Sequence, residues 1–160
     1  MKVYIEANPL IYGYLQFRQH SPSDIKHLSL MNFSYNLLFQ SEINEYITSD
    51  YAYREAYITV RKTYEQLCDM HFFSYIHRLG KRIDLAQTAD DMFKISPVAE
   101  KISSKTGIHK ADARHIVIAT LNKAYHIATA DAEFINTLQE KKLIIENILG
   151  YGPEPLDIKY

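Results

Sequence analysis

The 160-residue chain carries 18 Lys and Arg against 19 Asp and Glu, so its formal net charge is −1. This near balance excludes a generally polycationic protein, and nucleic acid could bind only through local positive charge or metal ions. Hydrophobic residues make up 47% and charged residues 23% of the chain, a globular composition that excludes extensive disorder. The length suits one domain with a buried core.

The single cysteine, Cys68, excludes an internal disulfide and favours a reducing, cytoplasmic setting. Glu6 interrupts the apolar start of the chain, so no signal-peptide core is predicted there. No apolar run reaches the roughly 20 residues that a membrane-spanning helix needs. We therefore expect a cytoplasmic protein that does not enter a membrane.

The first predicted strand is Val3-Tyr4-Ile5, a short apolar run of strongly β-forming residues. Glu6 follows it directly, and Asn8 is predicted to cap a helix whose first position is Pro9. Glu6 thereby lies between a strand end and a helix start, at the rim of an α/β sheet where ligands bind. A solvated loop carboxylate is the alternative interpretation of Glu6.

The second strand is predicted at residues 43–48, and Ser49 after it caps a helix whose second turn carries Glu55. A carboxylate among apolar residues on a helix is costly unless it is paired, hydrogen-bonded or metal-bound. The alternative for Glu55 is a surface ion pair. Ser41-Glu42 competes with the segment from Ser49 to Glu55 for the second acidic motif.

Capping residues, prolines and glycines predict the other boundaries in this part of the chain. The predicted helix starts are Ser21-Pro22, Thr88 and Ser96-Pro97, and the predicted helix ends are Gly80 and Gly107. Residues 22–39 and 69–79 are predicted helices, and residues 82–85 are a predicted strand at the sheet edge.

Two acidic residues in the third quarter of the chain have related positions. Asp112 lies on the first turn of an apolar helix, and Asp131 comes two residues after the next predicted strand, residues 126–129. The two acids are 131 − 112 = 19 residues apart, about what one helix and one strand consume. Successive elements therefore bring both carboxylates to the same end of a parallel sheet, which indicates a metal site.

The strands alternate with helices along the chain, which indicates a parallel α/β sheet. A helix is predicted over residues 131–140 and a last strand over residues 143–149. We predict a single domain over residues 1–150, followed by a C-terminal tail at residues 151–160.

Right-handed crossovers are expected to bring the acids after the strands to one rim, where four like charges need a cation. The acids are Glu6, Glu55, Asp112 and Asp131. Hard oxygen ligands favour Mg²⁺ or Mn²⁺. The seven histidines show no H-x-x-x-H or H-E-x-x-H spacing, so a zinc site is disfavoured.

Four segments together resemble the PIN-domain family of metal-dependent ribonucleases, which includes the toxin halves of VapBC toxin–antitoxin pairs. Residues 3–11 are similar to the opening strand, acid and Asn of that family, and residues 46–55 to its Ser-acid…Glu segment. Residues 107–119 are similar to the third motif, an acid-Ala-x-His helix start. Residues 129–134 are similar to the fourth motif, Thr-x-Asp-x-acid-Phe.

The resemblance implies a PIN-like three-layer sandwich, in which helices flank a central, mostly parallel sheet. It implies an endoribonuclease in which Mg²⁺ or Mn²⁺ is held by three acids, with Glu55 as a fourth catalytic acid. The expected metal ligands are Glu6, Asp112 and Asp131, and the expected supporting residues are Asn8, Thr129 and Glu133. The expected partners are an RNA substrate, an antitoxin protein and a second copy of the chain in a homodimer.

Two positions depart from the family pattern. Glu6 stands where the family usually has Asp, and Ala7 where it has Thr or Ser, and both changes bear on the efficiency of the site. A catalytically weak or inactive PIN-like RNA-binding or scaffold protein is therefore the alternative function. His115, one turn after Asp112, is interpreted as a packed histidine that orients the site rather than as a general base.

Four tyrosines near the second motif are interpreted as core or dimer packing, with stacking on RNA bases as the alternative. These are Tyr46, Tyr51, Tyr53 and Tyr57.

Overall fold

The computed structural model describes residues 1–41, 45–88 and 91–158. The strands are β1 (Lys2–Ile5), β2 (Glu45–Ser49), β3 (Asp84–Ala86), β4 (His126–Thr129) and β5 (Glu154–Asp157). The first helices are α1 (Ala7–Phe17), α2 (Ile25–Phe39), α3 (Asp50–Thr63) and α4 (Met70–Leu79), with a short 3₁₀ helix (Glu65–Leu67) between the last two. The later helices are α5 (Met92–Thr106), α6 (Lys110–Leu121), α7 (Ala132–Glu140) and α8 (Lys142–Leu149). Within these three described segments, no helix combines the length and apolarity needed to cross a membrane.

The strands form one parallel sheet in the order β3-β2-β1-β4-β5. From β1 the chain moves outward through β2 to β3, and it then returns to place β4 on the other side of β1. The direction of winding therefore reverses between β1 and β4. In open α/β sheets, ligands bind outside the carboxyl ends of the strands at such a reversal.

Each face of the sheet is covered by one set of helices, because successive side chains of a strand point to opposite faces. Val3 and Ile5 pack in a core with residues of α1 to α4, whereas Tyr4 packs in a second core with residues of α5 to α8. The sheet is thus the middle layer of three. This arrangement confirms the predicted α/β three-layer sandwich.

Three of the predicted helix boundaries are confirmed. Ser49 caps α3, because its side chain accepts a hydrogen bond from the backbone N–H of Ala52. Gly80 directly follows α4, and Gly107 ends α5 in the left-handed conformation, with φ at 78°. The predicted edge strand is also present, as β3.

The helix starts predicted near prolines are wrong. α1 begins at Ala7, so Glu6 rather than Asn8 is its N-cap residue, and Pro9 still lies in the first turn, where its missing N–H costs no helical hydrogen bond. α2 begins only after Asp24, because Asp24 rather than Ser21 accepts a hydrogen bond from a first-turn amide. Ser96-Pro97 lies inside α5 instead of starting a helix.

α5 continues through its proline because one face of the helix is anchored in the core. Ile95, Ala99 and Ile102 on that face are each at most 1% exposed. Their burial offsets the hydrogen bond that Pro97 cannot donate. The other helix start, predicted at Thr88, is followed by residues 89–90, which lie outside the described part, and α5 begins at Met92.

The C-terminal predictions need the largest correction. The strand predicted over residues 143–149 is the helix α8, since a short apolar run fits either element until its neighbours are known. The segment interpreted as a tail contains β5, which pairs in parallel with β4. Residues 154–157 therefore belong to the same sheet as the rest of the domain.

Two further predictions touch residues that the structure does not describe. The second strand was predicted over residues 43–48, and the observed β2 covers Glu45–Ser49, so positions 43 and 44 lie outside the described residues. Glu42, the competing second acid, lies there too. The tyrosines of this region pack on the two cores, fully for Tyr46 and partly for the other three.

Candidate active site

Glu6 lies at the end of β1, where it forms the N-cap position of α1. Its side chain is buried, at 4% exposure, and its Oε1 atom has no hydrogen-bond partner among the described residues. Burial raises the pKa of Glu6 to about 7, although the charge of His115 and the Asn8 amide favour the ionised form. A solvated loop carboxylate is therefore excluded. Glu6 is a buried acid with an oxygen free for a ligand.

Glu55 faces the site from the second turn of α3, the helix that begins after the Ser49 cap. Its Oε2 atom lies 2.5 Å from Nε2 of His115, a residue of α6 that is 1% exposed. Burial alone would raise the pKa of Glu55, but the hydrogen bond and charge of His115 outweigh it and lower the pKa. The partner of Glu55 is thus a buried histidine 60 residues away, and a surface ion pair is not its role.

His115 is held from its other side by Tyr4. Its Nδ1 atom lies 2.8 Å from the Tyr4 hydroxyl, which in turn lies 2.8 Å from Oγ of Ser49. Burial lowers the pKa of His115, and the neighbouring carboxylates, Glu55 first, outweigh burial and raise it. The imidazole is therefore fixed between the first two strands of the sheet and the acid on α3.

Asp112 lies on the first turn of α6, as predicted, and is partly buried. Burial raises the pKa of Asp112, and the negative charges of Asp131 and Glu55 act in the same direction. The Glu6 carboxyl is a further acidic neighbour, since Asp112 also contributes to the raised pKa of Glu6. The Asp112 carboxyl therefore interacts electrostatically with all three other acids.

Asp131 lies two residues after the end of β4 and is the N-cap residue of α7. Its Oδ1 atom accepts hydrogen bonds from the backbone N–H groups of Glu133 and Phe134, at 2.9 and 3.1 Å. Its own N–H donates to Oγ1 of Thr129, at 3.1 Å. One carboxylate oxygen of Asp131 therefore stabilises the helix start. Thr129 supports the backbone around this acid.

Two clefts meet at Asp112, on the side of the sheet where the strands end. One, of about 390 Å³, is lined by Glu6, Asn8, Glu55 and Asp112 among others. The other, of about 320 Å³, is lined by residues that include His109, Asp112, Asp131 and Glu133. Except for Thr129, all residues that the sequence predicted for the site line one cleft or the other. The structure brings them together around Asp112.

The donor chemistry of this site suits a hard divalent cation, because the side chains are carboxylates and Oε1 of Glu6 has no partner in the part of the chain that the structure describes. The acids are not gathered into a closed set of ligands, however. Over residues 1–41, 45–88 and 91–158, no three His, Cys, Asp or Glu side chains are grouped so that they could hold a metal ion. Glu55 is bonded to His115 and Asp131 caps α7, so each commits one oxygen elsewhere.

Arg114 and the hydroxyl groups of Tyr4 and Ser49 were missed by the sequence analysis. The Arg114 guanidinium lies 5.9 Å from the ring centre of Tyr51, and it has no ion pair within the described segments. Its Nε atom is buried and has no hydrogen-bond partner within those segments. The available signal was its position between Asp112 and His115, which is uninformative because arginines on helices are usually solvated.

No protein-family model matches the sequence, and no curated protein is significantly similar to it. Among solved structures, the chain is similar to VapC20 from Mycobacterium tuberculosis, a Sarcin-Ricin loop cleaving toxin. The similarity covers 82% of this chain and 92% of VapC20, with 12% sequence identity and a TM-score of 0.53. At this identity the similarity establishes the fold. The chain therefore has the predicted PIN-like fold, which it shares with the toxin VapC20.

Proposed function

We propose that this chain is a metal-dependent endoribonuclease that hydrolyses RNA phosphodiester bonds. The observation that carries the proposal is the convergence of four acids on two clefts that meet at Asp112. These clefts lie where the winding of the sheet reverses, the usual ligand position in such folds. The shared fold with a Sarcin-Ricin loop cleaving toxin supports RNA as the substrate.

Mg²⁺ or Mn²⁺ would be held by Glu6, Asp112 and Asp131. When bound, such an ion polarises a phosphoryl oxygen and lowers the pKa of a coordinated water. The Oε1 atom of Glu6, which has no hydrogen-bond partner among residues 1–41, 45–88 and 91–158, supports this assignment, because a buried carboxylate oxygen without a partner is costly unless a ligand satisfies it. Glu55 would complete the acidic set, and Glu133 would orient a ligand from the rim of the second cleft.

Positive charge for the RNA backbone would come from Arg114 as well as from the metal ion. Its guanidinium has five N–H donors, of which one contacts the Tyr51 hydroxyl, at 3.4 Å. A phosphate that approaches the Glu55 side of the site would find donors available there. This local cation would allow a chain whose net charge is −1 to bind RNA.

The test is cleavage of a structured RNA that contains a Sarcin-Ricin loop, by purified protein with Mn²⁺ and with EDTA. Asp112→Asn keeps the size of the side chain and removes its charge, so we expect at least about a hundredfold loss of cleavage. Asp84→Asn, at an exposed position of the edge strand β3, is the matched control and should cleave like the wild type. Cleavage that survives Asp112→Asn would reject the site.

The alternative is an inactive PIN-like RNA-binding or scaffold protein. The ungrouped acids in the described part of the chain favour it, because a degenerate site no longer needs closely spaced ligands. RNA that is bound but not cut by both the wild type and Asp112→Asn would establish this alternative.

We also propose that the protein acts in the cytoplasm as a homodimer and as the toxin of a toxin–antitoxin pair. A small upstream reading frame that encodes a DNA-binding antitoxin would supply the partner. Expression of the chain alone should arrest growth, and co-expression with that partner should restore it. Growth arrest that persists in Asp112→Asn would separate toxicity from nuclease activity and contradict this role.

A further inference from the structure

Four side chains from separate elements form one chain of hydrogen bonds that ends in the candidate site. Ser49 at the end of β2 contacts Tyr4 on β1 at 2.8 Å, and Tyr4 contacts Nδ1 of His115 on α6 at 2.8 Å. Nε2 of His115 then reaches Oε2 of Glu55 on α3 at 2.5 Å. Ser49, Tyr4 and His115 are each at most 1% exposed. The first three members are therefore shielded from solvent.

The hydrogen atoms of this chain can be assigned by counting donors and acceptors. Oγ of Ser49 accepts from the N–H of Ala52, at 3.0 Å, and the only acceptor for its own hydroxyl hydrogen in the described structure is the Tyr4 oxygen. Ser49 thus donates to Tyr4, which leaves the Tyr4 hydroxyl hydrogen to donate to Nδ1 of His115. An accepting Nδ1 places the proton of the neutral imidazole on Nε2. That proton points at Glu55.

Packing reinforces the hydrogen bonds. The His115 ring lies 5.7 Å from the ring of Tyr4 and 5.1 Å from the ring of Tyr51, measured between centroids. Tyr4 itself is fixed on the central strand, where it lies in register with Ile47 on one side and Ile127 on the other. The imidazole therefore has two aromatic neighbours and a partner at each nitrogen.

We propose that Tyr4 and Ser49 are positioning residues, which act through His115 to fix the direction in which Glu55 enters the carboxylate site. The bond to His115 holds Oε2 of Glu55, and the Tyr51 hydroxyl is a second hydrogen-bond partner of the same carboxylate. Without the Tyr4 hydroxyl, Nδ1 loses its donor and the imidazole is free to carry its proton there. An unprotonated Nε2 would then repel Glu55. The link to metal binding rests on the proposed function.

The experiment compares Tyr4→Phe with Tyr75→Phe. Tyr75 is a matched control because it is also 0% exposed and its hydroxyl also donates a hydrogen bond, to the Leu10 carbonyl at 2.7 Å, away from the site. The first readout is the tautomer of His115 in metal-free, ¹⁵N-histidine-labelled protein, at a pH where the imidazole is neutral. We expect the Nε2–H form in the wild type and in Tyr75→Phe, and a mixture of both forms in Tyr4→Phe.

The second readout is the dissociation constant of Mn²⁺. Glu55 belongs to the acidic set around the proposed metal ion, and outer residues that orient such a set typically change metal affinity by tenfold or more. We therefore expect about a tenfold increase in Tyr4→Phe and less than about a twofold change in Tyr75→Phe. If Tyr4→Phe does not fold, Ser49→Ala takes its place with the same two readouts, because it removes the donor to Tyr4.

Three results would overturn the proposal: an Nδ1–H tautomer in the wild type, a tautomer that Tyr4→Phe leaves unchanged, or Mn²⁺ binding that is equal or tighter in Tyr4→Phe. Failure of the proposed function looks different. A wild type that neither binds Mn²⁺ nor cuts RNA rejects the nuclease and the metal link. The tautomers still decide in that case whether Tyr4 and Ser49 position His115.

Discussion

His115 and Glu55 are separated by 60 residues in the sequence, yet Nε2 of one lies 2.5 Å from Oε2 of the other. The bond joins α6 to α3, two helices that lie on opposite faces of the sheet. It closes over the carboxyl ends of the strands, where the two clefts meet. The pair therefore contributes to the stability of the fold as well as to the geometry of the site.

The coupling between His115 and Glu55 should depend on pH in a defined direction. The lowered pKa of Glu55 stabilises the folded protein at pH values above 4.5, the usual pKa of a glutamate. This stabilisation is lost as the pH falls through the pKa of Glu55 in the folded state. The raised pKa of His115 stabilises the folded protein at pH values below 6.5, the usual pKa of a histidine. This stabilisation is lost as the pH rises through the pKa of His115 in the folded state. The coupling should therefore be largest between about pH 4.5 and 6.5.

A double-mutant cycle with Glu55→Gln and His115→Gln measures this coupling by urea unfolding at several pH values. We expect about 1–3 kcal/mol at its maximum, as for hydrogen bonds between charged groups. A coupling that is constant from pH 3 to pH 9 would contradict the assignment of charge to both partners.

Glu6 should make the metal-free protein less stable as pH rises. Its pKa is raised to about 7 from the usual 4.5, so the folded state resists an ionisation that the unfolded state accepts. Relative to Glu6→Gln, the wild type should lose on the order of 3 kcal/mol between pH 4.5 and 7 and should not lose more above pH 7. Chemical unfolding in EDTA measures this difference.

Glu100→Gln is the control for the Glu6 experiment, because Glu100 is an exposed glutamate on α5. Its effect on the free energy of unfolding should be small, because an exposed side chain makes few contacts that Gln would lose. A wild type that gains stability relative to Glu6→Gln over the same range would show that Glu6 ionises readily in the folded protein.

Asp131 has a structural role that can be separated from its role in the site. Asn is as good a helix cap as Asp, so Asp131→Asn should unfold like the wild type, whereas Asp131→Ala should lose about 1 kcal/mol. Both variants should lose the stabilisation by Mn²⁺, which for the wild type is about 2.7 kcal/mol at a hundredfold excess over the dissociation constant. Thermal unfolding with and without Mn²⁺ measures both effects.

Asp24 provides the matched control for this prediction, because it caps α2 by accepting the His27 N–H at 2.8 Å. Asp24→Ala should lose the cap and keep the full response to Mn²⁺. An unchanged Mn²⁺ response in Asp131→Asn would remove Asp131 from the set of metal ligands.

Gly13 should be intolerant of substitution, because α1 packs closely against α2 and α4 at this point. A Cβ atom there would lie 2.5 Å from Cδ1 of Leu38 and 2.7 Å from the hydroxyl of Tyr75. Both neighbours are buried, so Gly13→Ala should cost about 1–3 kcal/mol despite its better helix propensity. Urea unfolding measures the loss.

Gly80→Ala is the contrasting variant. Its φ is −60°, and the nearest neighbours of a Cβ atom would lie 3.6 Å away, an ordinary contact distance. We expect no loss of stability and a gain of up to about 1 kcal/mol, because Ala restricts the unfolded chain. Equal losses in both variants would show that crowding at Gly13 is not the cause.

The sequence alone was enough to predict that strands alternate with helices and that the acids lie near the ends of strands. Short apolar runs that stop at or near Glu6, Ser49 and Asp131 indicate where strands end, and this signal needs only neighbouring residues. In a parallel sheet, the carboxyl ends of the strands lie at the same edge. Capping is equally local, so Ser49 and Gly107 could be placed from their neighbours in the chain. These features depend on residues close together in sequence.

The tertiary structure decided the identity of the C-terminal elements. The apolar residues 144, 145, 148 and 149 have a helical spacing, but the run is too short for that spacing to decide between a helix and a strand, and packing on α5 makes it α8. Residues 154–157 contain Pro155 and are only partly buried, so their pattern does not predict a strand. They become β5 because β4 offers an unpaired edge.

The tertiary structure also decided the state of each acid. Burial of Glu6, the bond from His115 to Glu55 and the hydroxyl pair of Ser49 and Tyr4 join residues that are distant in sequence. Charge and hydrogen bonding act through space, and the distances between these groups are set only when both helical layers close on the sheet. The sequence by itself therefore determined which acids reach the rim, and the packed fold determined their partners and their charge.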